Sequence, residues 1–213
     1  MNRTIGALLI ALTVLASGCS TVRRWLPGDL DSDKGPIKRI AVLPFAYRGA
    51  GGGVPCDLCP DRLVMAVTSE QDALLATAFL YEGLARHPRI QVIPYERVRQ
   101  YQGATMRETL ANLASKEHLD GAVVGALLEM RPRLGDPRDP KQRGGAAVYA
   151  ALLDVASGEA LWTRFYDRSP GRPGRIMHSY NKLVGEEEHA LTADEATQAG
   201  IQGMVPSLVK ALR

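Results

Sequence analysis

Three short, nearly continuous apolar runs constrain the fold of this chain more than any other feature. They lie at residues 40–45, 121–130 and 147–155. An apolar run of this length between turn residues is typical of a β-strand that is buried on both faces of its sheet. We therefore predict a sheet with helices packed on it, and we expect Pro44 to end the hydrogen-bond ladder of the first strand.

The helices are predicted from capping boxes, in which a Thr is followed three residues later by Glu or Gln. The three pairs are Thr68 with Gln71, Thr105 with Glu108, and Thr192 with Glu195. Pro206 is well placed in the first turn of a separate closing helix. Further strands are predicted at 90–94 and 160–167, with a helical turn at 96–100.

The predicted elements follow the order β-α-β-α-β-β-β-α over residues 37–213. This order indicates one α/β (α+β) domain, with a mixed sheet of about five strands packed against helices. The glycines between residues 49 and 53 and the polar span 131–145 are interpreted as loops.

Four segments in the same order resemble the successive signatures of one superfamily of bacterial envelope proteins. They are residues 38–45, 90–98, 119–125 and 156–162. The superfamily comprises the curli-secretion lipoprotein, the penicillin-binding-protein activator lipoprotein LpoB and the amino-terminal domain of TolB. The chain is similar, more narrowly, to lipoproteins with a Cys-x-x-Cys insertion after the first strand. The resemblance implies a periplasmic, non-enzymatic interaction domain in cell-envelope assembly.

The first eighteen residues have the pattern of an export signal. Arg3 supplies the positive start, and residues 5–15 form an apolar run too short for a permanent membrane span. Small residues then lead to Cys19. This resembles the signal of bacterial lipoproteins, which implies cleavage before Cys19 and acylation of that cysteine, with palmitate among the chains. An ordinary secretory signal with an incidental cysteine is the alternative.

The resemblance to lipoprotein signals also implies a location. Ser20, rather than Asp, follows the cysteine, and by analogy with the family this favours the outer membrane. Residues 19–36 then form a lipidated tether that is rich in Pro, Gly and Asp. We expect the acylated Cys19 to bind membrane lipid, with the domain facing the periplasm.

The charge balance excludes one class of partner. The chain has 26 Lys and Arg against 23 Asp and Glu, a net charge of +3. This provides no basic field for nucleic acid. The resemblance implies instead that the partner is another envelope protein or a further copy of the chain.

Cys56 and Cys59 form the most specific chemical motif of the mature chain, a Cys-x-x-Cys pair. A structural zinc site needs four ligands, and the chain has no second Cys-x-x-Cys. A thioredoxin-like pair would stand at the start of a helix, whereas Pro60 follows here. We prefer a local disulfide that holds the glycine-rich loop, since the periplasm is oxidising.

No motif in the sequence supports catalysis. The glycines at 49–53 lack the Gly-Lys-Ser/Thr ending of a phosphate loop, and neither Gly-x-Ser-x-Gly nor His-Glu-x-x-His occurs. The carboxylates of 186–188 and the four histidines are interpreted as surface groups; the histidines are His87, His118, His178 and His189. We predict no enzyme, cofactor or metal, with a redox or hydrolytic enzyme as the remote alternative.

The strand predicted at 160–167 carries the candidate site for the partner. Its alternation places Leu161 and Phe165 on one face and the residues Trp162, Arg164, Tyr166 and Arg168 on the other. Trp, Tyr and Arg contribute most of the energy at protein interfaces. The alternative for Trp162 is burial under a helix. The alternative for the whole chain is a subunit of an oligomeric export apparatus resembling the curli-secretion lipoprotein.

Overall fold

The apolar runs form the middle of a five-stranded sheet in a computed structural model that describes residues 36–168 and 190–213. In chain order the elements are β1 (Arg39–Val42), β2 (Tyr47–Gly49), β3 (Gly52–Val54), α1 (Glu70–Ala85), β4 (Gln91–Val92), α2 (Tyr95–Gln100), α3 (Met106–Glu117), β5 (Gly121–Arg131), β6 (Leu134–Gly135), β7 (Pro140–Gln142), β8 (Gly145–Asp154), β9 (Ala160–Asp167) and α4 (Ala193–Ala211).

The sheet order is β4-β1-β5-β8-β9. β1 runs parallel to both β4 and β5, whereas β5, β8 and β9 pair as antiparallel neighbours. The predicted fold class, a mixed sheet of five strands packed against helices in a single domain, is confirmed.

Both faces of the sheet are covered, as the apolar runs predict. β8 is buried along its whole length. On one face α1 and α4 close a core whose largest fully buried members are Ile40, Phe45, Leu80, Leu84, Leu127, Leu152, Ile201 and Leu208. On the other face α2, α3 and the loop after β3 cover a second core that includes Leu43, Val98, Leu113, Val124 and Tyr149. We call these the α1–α4 core and the α2–α3 core.

Pro44 interrupts the pairing of β1 with β5 rather than ending it, since the pairing resumes at Ala46, and a helix side chain supplies the partner for Phe45 in between. β1 stops at Val42. The backbone N–H of Phe45 then donates to Thr77 Oγ1 in α1 at 3.0 Å, while the Thr77 hydroxyl donates to Ala73 O at 2.7 Å. A buried N–H without a partner is costly, so this bond fixes α1 against the strand.

α1 begins one residue later than the capping pattern predicts. Ser69, not Thr68, is the N-cap; its hydroxyl accepts from Asp72 N at 3.1 Å, and the Asp72 carboxylate accepts from Ser69 N at 3.2 Å. The aspartate thus replaces Gln71 in the box. Along α1, Ala73, Ala76, Thr77, Leu80 and Leu84 are buried, whereas Leu74 is exposed.

α4 is one continuous helix. The capping box of Thr192 with Glu195 is confirmed, but the separate closing helix predicted from Pro206 is wrong. Proline costs a helix one hydrogen bond and a steric clash. Tertiary packing outweighs that cost here, because Val205 and Leu208 are buried on either side of it in the α1–α4 core.

The two spans interpreted as loops contain hairpins. β2 pairs with β3 in the glycine-rich span, and β6 pairs with β7 in the polar one. Gly52 has a φ of +138°, in the region that favours glycine. None of the helices within residues 36–168 and 190–213 is long and apolar enough to cross a bilayer.

Candidate functional site

The face of β9 chosen from the sequence lies largely beneath α4. Trp162 is 8% exposed, and its indole Nε1–H donates to Ser207 Oγ at 3.1 Å. The ring of Tyr166 lies against Gly200, where a Cβ atom would have no room. Trp162 is therefore buried under a helix, which was the alternative prediction for this residue. Its side chain contributes to the α1–α4 core rather than to a surface.

The two arginines of this face differ in exposure. Arg164 is exposed, with Nη1 donating to the neighbouring Thr163 O at 3.3 Å. Arg168 is half-buried, and its backbone N–H donates to Ala146 O at 2.9 Å. The structure thus leaves Arg164 as the most accessible of the four predicted docking residues.

The other face of β9 differs from the predicted alternation. An irregularity in the pairing of β8 with β9 occurs between Leu152 and Leu153, opposite Leu161. Leu161 packs against the α1–α4 core, whereas Phe165 pairs with Tyr149 on the opposite face and is exposed. The prediction that Leu161 and Phe165 share a face is wrong, because the irregular pairing breaks the strict alternation of the strand.

Cys56 and Cys59 are joined by a disulfide in the structure. Their Cα atoms lie 5.2 Å apart, and Cys59 N–H donates to Cys56 O at 3.3 Å, which closes a tight turn. Cys59 is buried in the α2–α3 core, and Cys56 is half-buried beside it. That the pair is oxidised in the compartment where the protein works stays a prediction.

The disulfide turn is hydrogen-bonded to the start of α3. Both carboxylate oxygens of Asp57 accept from Arg107 N at 3.3 Å, and Arg107 Nη2 donates to Asp57 O at 3.0 Å. Cys56 Sγ lies 3.5 Å from Met106 Sδ. No local pattern predicts this contact, since α3 follows fifty residues later. A carboxylate is a favourable occupant of a helix N-terminus, so Asp57 stabilises the turn on α3.

A second group that sequence reasoning missed is Glu117 in the last turn of α3. Its side chain is 7% exposed and accepts from Arg39 Nη2 at 2.8 Å and from Arg97 Nε at 3.2 Å. The carboxylate therefore joins α3 to β1 and α2. In the sequence Glu117 is one charged residue among many, and only the approach of distant elements gives it two partners.

Tyr149 is buried on the sheet face beneath the disulfide turn, whereas Tyr95 is half-buried at the start of α2. Burial raises the pKa of the Tyr149 phenol above its ordinary value. The same cause raises the pKa of Tyr95, where Arg99 acts in the opposite direction and Glu70 adds to the rise. These phenols are neutral at physiological pH and add no charge to the surface.

Other residues singled out in the sequence are not brought together. His87 lies in the turn after α1, and His118 ends α3 with a φ of 48°. Within residues 36–168 and 190–213 no three His, Cys, Asp or Glu side chains are grouped to hold a metal ion. Cys19, the signal, most of the tether, His178, His189 and residues 186–188 lie outside the described residues.

Comparisons with known proteins give structural likenesses only. No family model and no curated protein sequence matches the chain. The hypothetical protein CT253 from Chlamydia trachomatis is 14% identical, with a TM-score of 0.45 over 83% of this chain and 98% of that one. PelC, a dodecamer from Paraburkholderia phytofirmans, is 14% identical, with a TM-score of 0.43 over 84% and 95%.

The C-terminal domain of LpoB from Escherichia coli is also similar. It is 12% identical, with a TM-score of 0.40 over 66% of this chain and 89% of that one. At such identities and scores we transfer no property of these proteins to the chain. The superfamily stays a resemblance, and the Cys-x-x-Cys insertion stays a feature of the sequence alone.

Proposed function

We propose that the chain is a non-enzymatic lipoprotein, anchored through Cys19 in the outer membrane, whose periplasmic domain at 37–213 binds another envelope protein. The observation that supports this best is the sequence pattern of residues 1–18, which is typical of an export signal and is followed directly by cysteine. Two or more acyl chains, at about 0.8 kcal/mol per buried methylene, hold a protein on a membrane without a spanning helix.

The side chains of the folded domain support binding better than chemistry. The most conspicuous polar group, Glu117, is held by Arg39 and Arg97, and the Cys56–Cys59 pair is packed against α3. Groups fixed in this way stabilise a scaffold. We therefore assign the domain an accessory role in envelope assembly.

Exchange of residues 1–19 for a cleaved secretory signal without a cysteine tests the anchor. We expect nearly all of the protein to move from the membrane fraction to the soluble periplasmic fraction, because the acyl chains are lost while the core, which begins near Ile37, is complete. Immunoblots of fractions washed with salt measure this. The anchor would be refuted if the exchanged protein stayed with the washed membranes as firmly as the native one.

We propose that the partner docks beside Arg164, with Arg168 at the margin of the same surface. Arg164→Glu is expected to lower capture of the partner at least fivefold in crosslinking within cells, since reversing a charge at an interface slows association. The melting temperature should change little, because the side chain is exposed.

Arg138→Glu provides the matched control, as an exposed arginine in the turn between β6 and β7. It reverses the same charge and should leave the crosslinked product unchanged. Equal loss in both variants, or full capture by Arg164→Glu, would remove the β9 surface from the proposal. If the purified protein formed a symmetric ring rather than a monomer, the export-subunit alternative would be favoured instead.

A further inference from the structure

A groove of about 720 Å³ opens at the end of the domain where the described chain begins. Its walls come from the segment before β1, the turn between α1 and β4, and the last turn of α4. The lining residues fall into two kinds: the apolar side chains are Pro36, Ile37, Pro88, Ile90, Val209 and Leu212, and the polar ones are Lys38, His87, Arg89 and Arg213. We call it the entry groove, because Pro36 lies at its margin.

The cations of the entry groove are exposed beside apolar groups. Lys38 and Arg89 are exposed, while Ile37 and Ile90 are half-buried between them. The adjacent Asp120 carboxylate accepts the backbone N–H of Lys38 at 3.0 Å. Apolar side chains next to Lys and Arg are typical of surfaces that lie on lipid headgroups.

We propose that the entry groove binds the anionic phospholipid headgroups of the membrane that carries the chain. This inference rests on the proposed anchor at Cys19. Sixteen residues separate that cysteine from Pro36. Fully extended, they reach at most about 53 to 58 Å, which keeps the groove close to the bilayer.

The tether joins the domain at the same end as the groove. Pro36 is the point where the chain from Cys19 joins the domain, and the same end presents Lys38 and Arg89. A tethered site meets its ligand at a high effective concentration, so weak headgroup contacts are sufficient. The domain as a whole is nearly neutral, so the attraction must come from the cations at this end, which are Lys38, Arg89 and Arg213.

The test uses the purified chain from Ser20, which contains the whole domain and no lipid. Cosedimentation compares phosphatidylcholine vesicles with vesicles that also contain phosphatidylglycerol. We expect binding to the anionic vesicles only, weakening as salt is added. Lys38→Glu combined with Arg89→Glu should lower the partition coefficient at least tenfold, since each cation near an anionic surface contributes roughly a fivefold effect.

Arg62→Glu combined with Lys141→Glu is the matched control. Both side chains are exposed. Arg62 lies in the loop before α1, which is hydrogen-bonded to Leu128 near the far end of β5, and Lys141 lies in β7. The control changes the net charge equally and should alter the partition coefficient less than twofold.

Absence of binding to anionic vesicles would overturn the proposal, and so would an equal loss in the two double variants. A dimer in sedimentation that Lys38→Glu with Arg89→Glu converts to a monomer would assign the groove to a second copy instead, and would also overturn it. Because the assayed chain carries no lipid, its binding is independent of whether Cys19 is acylated in cells. Failure of the anchor and failure of the groove are therefore distinguishable.

Discussion

Gly125→Ala is expected to lower the free energy of unfolding by about 2 kcal/mol, within the range for overpacked cores. Gly125 lies in β5, and a Cβ atom built there comes within 2.5 Å of Phe45 Cε1 and 2.8 Å of Cδ1. The Phe45 ring is 1% exposed, and its backbone N–H is held by Thr77. The ring therefore has no free space to move into. Urea denaturation of the chain from Ser20 measures the effect.

The same experiment in a Phe45→Leu background isolates the contact. Leucine lacks the ring edge that meets the new methyl group, so Gly125→Ala should become nearly neutral there. Phe45→Leu alone is expected to cost about 1 to 1.5 kcal/mol. The difference between the two backgrounds is the coupling energy of the pair. An equal loss in both backgrounds would show that the ring is not the cause.

Glu117→Gln is expected to lower the free energy of unfolding by about 1.5 to 3 kcal/mol. Removing one member of a buried ion pair typically costs about 3 to 5 kcal/mol, because the remaining charge loses its partner. The expected loss is smaller here, since the side chains of Arg39 and Arg97 are 30% and 52% exposed. Glutamine preserves the shape, so the loss reports the charge rather than a cavity.

Glu82→Gln gives the comparison for an exposed pair of the same chemistry. Glu82 lies 3.9 Å from Arg86 on the surface of α1, and both side chains are mostly in water. Such pairs contribute about 0.3 to 0.5 kcal/mol. If thermal and urea unfolding gave the two glutamine variants equal losses, the ion network of Glu117 would not join α3 to β1 and α2 in the way the structure indicates.

The sheet was predictable because its signals are local and redundant. The strand predicted at 160–167 is β9 at the same bounds, and the run at 147–155 is β8 with a shift of one or two residues. A strand buried on both faces must be apolar at every position, whatever its neighbours are. The capping box of Thr192 was equally predictable from the sequence, since both of its hydrogen bonds lie within one helical turn.

Two of the errors occur where two local signals competed. Thr68 and Ser69 are both good N-caps, and only the fit of Asp72 to the Ser69 N–H selects the second. Pro206 is a strong signal for a helix start, yet α4 continues through it because the packing of Val205 and Leu208 contributes more than one lost hydrogen bond. The first choice is still local, because both bonds join residues 69 and 72, whereas the second depends on tertiary contacts.

The sequence by itself determined the class of fold and the strands of the sheet, because each depends on the pattern within a few consecutive residues. Only the tertiary structure decided that Trp162 lies beneath Ser207, that Glu117 is held by two arginines, and that Lys38 and Arg89 meet at one groove. These relations join segments far apart in the chain. Their energies depend on distance and burial in space, which neither composition nor periodicity specifies.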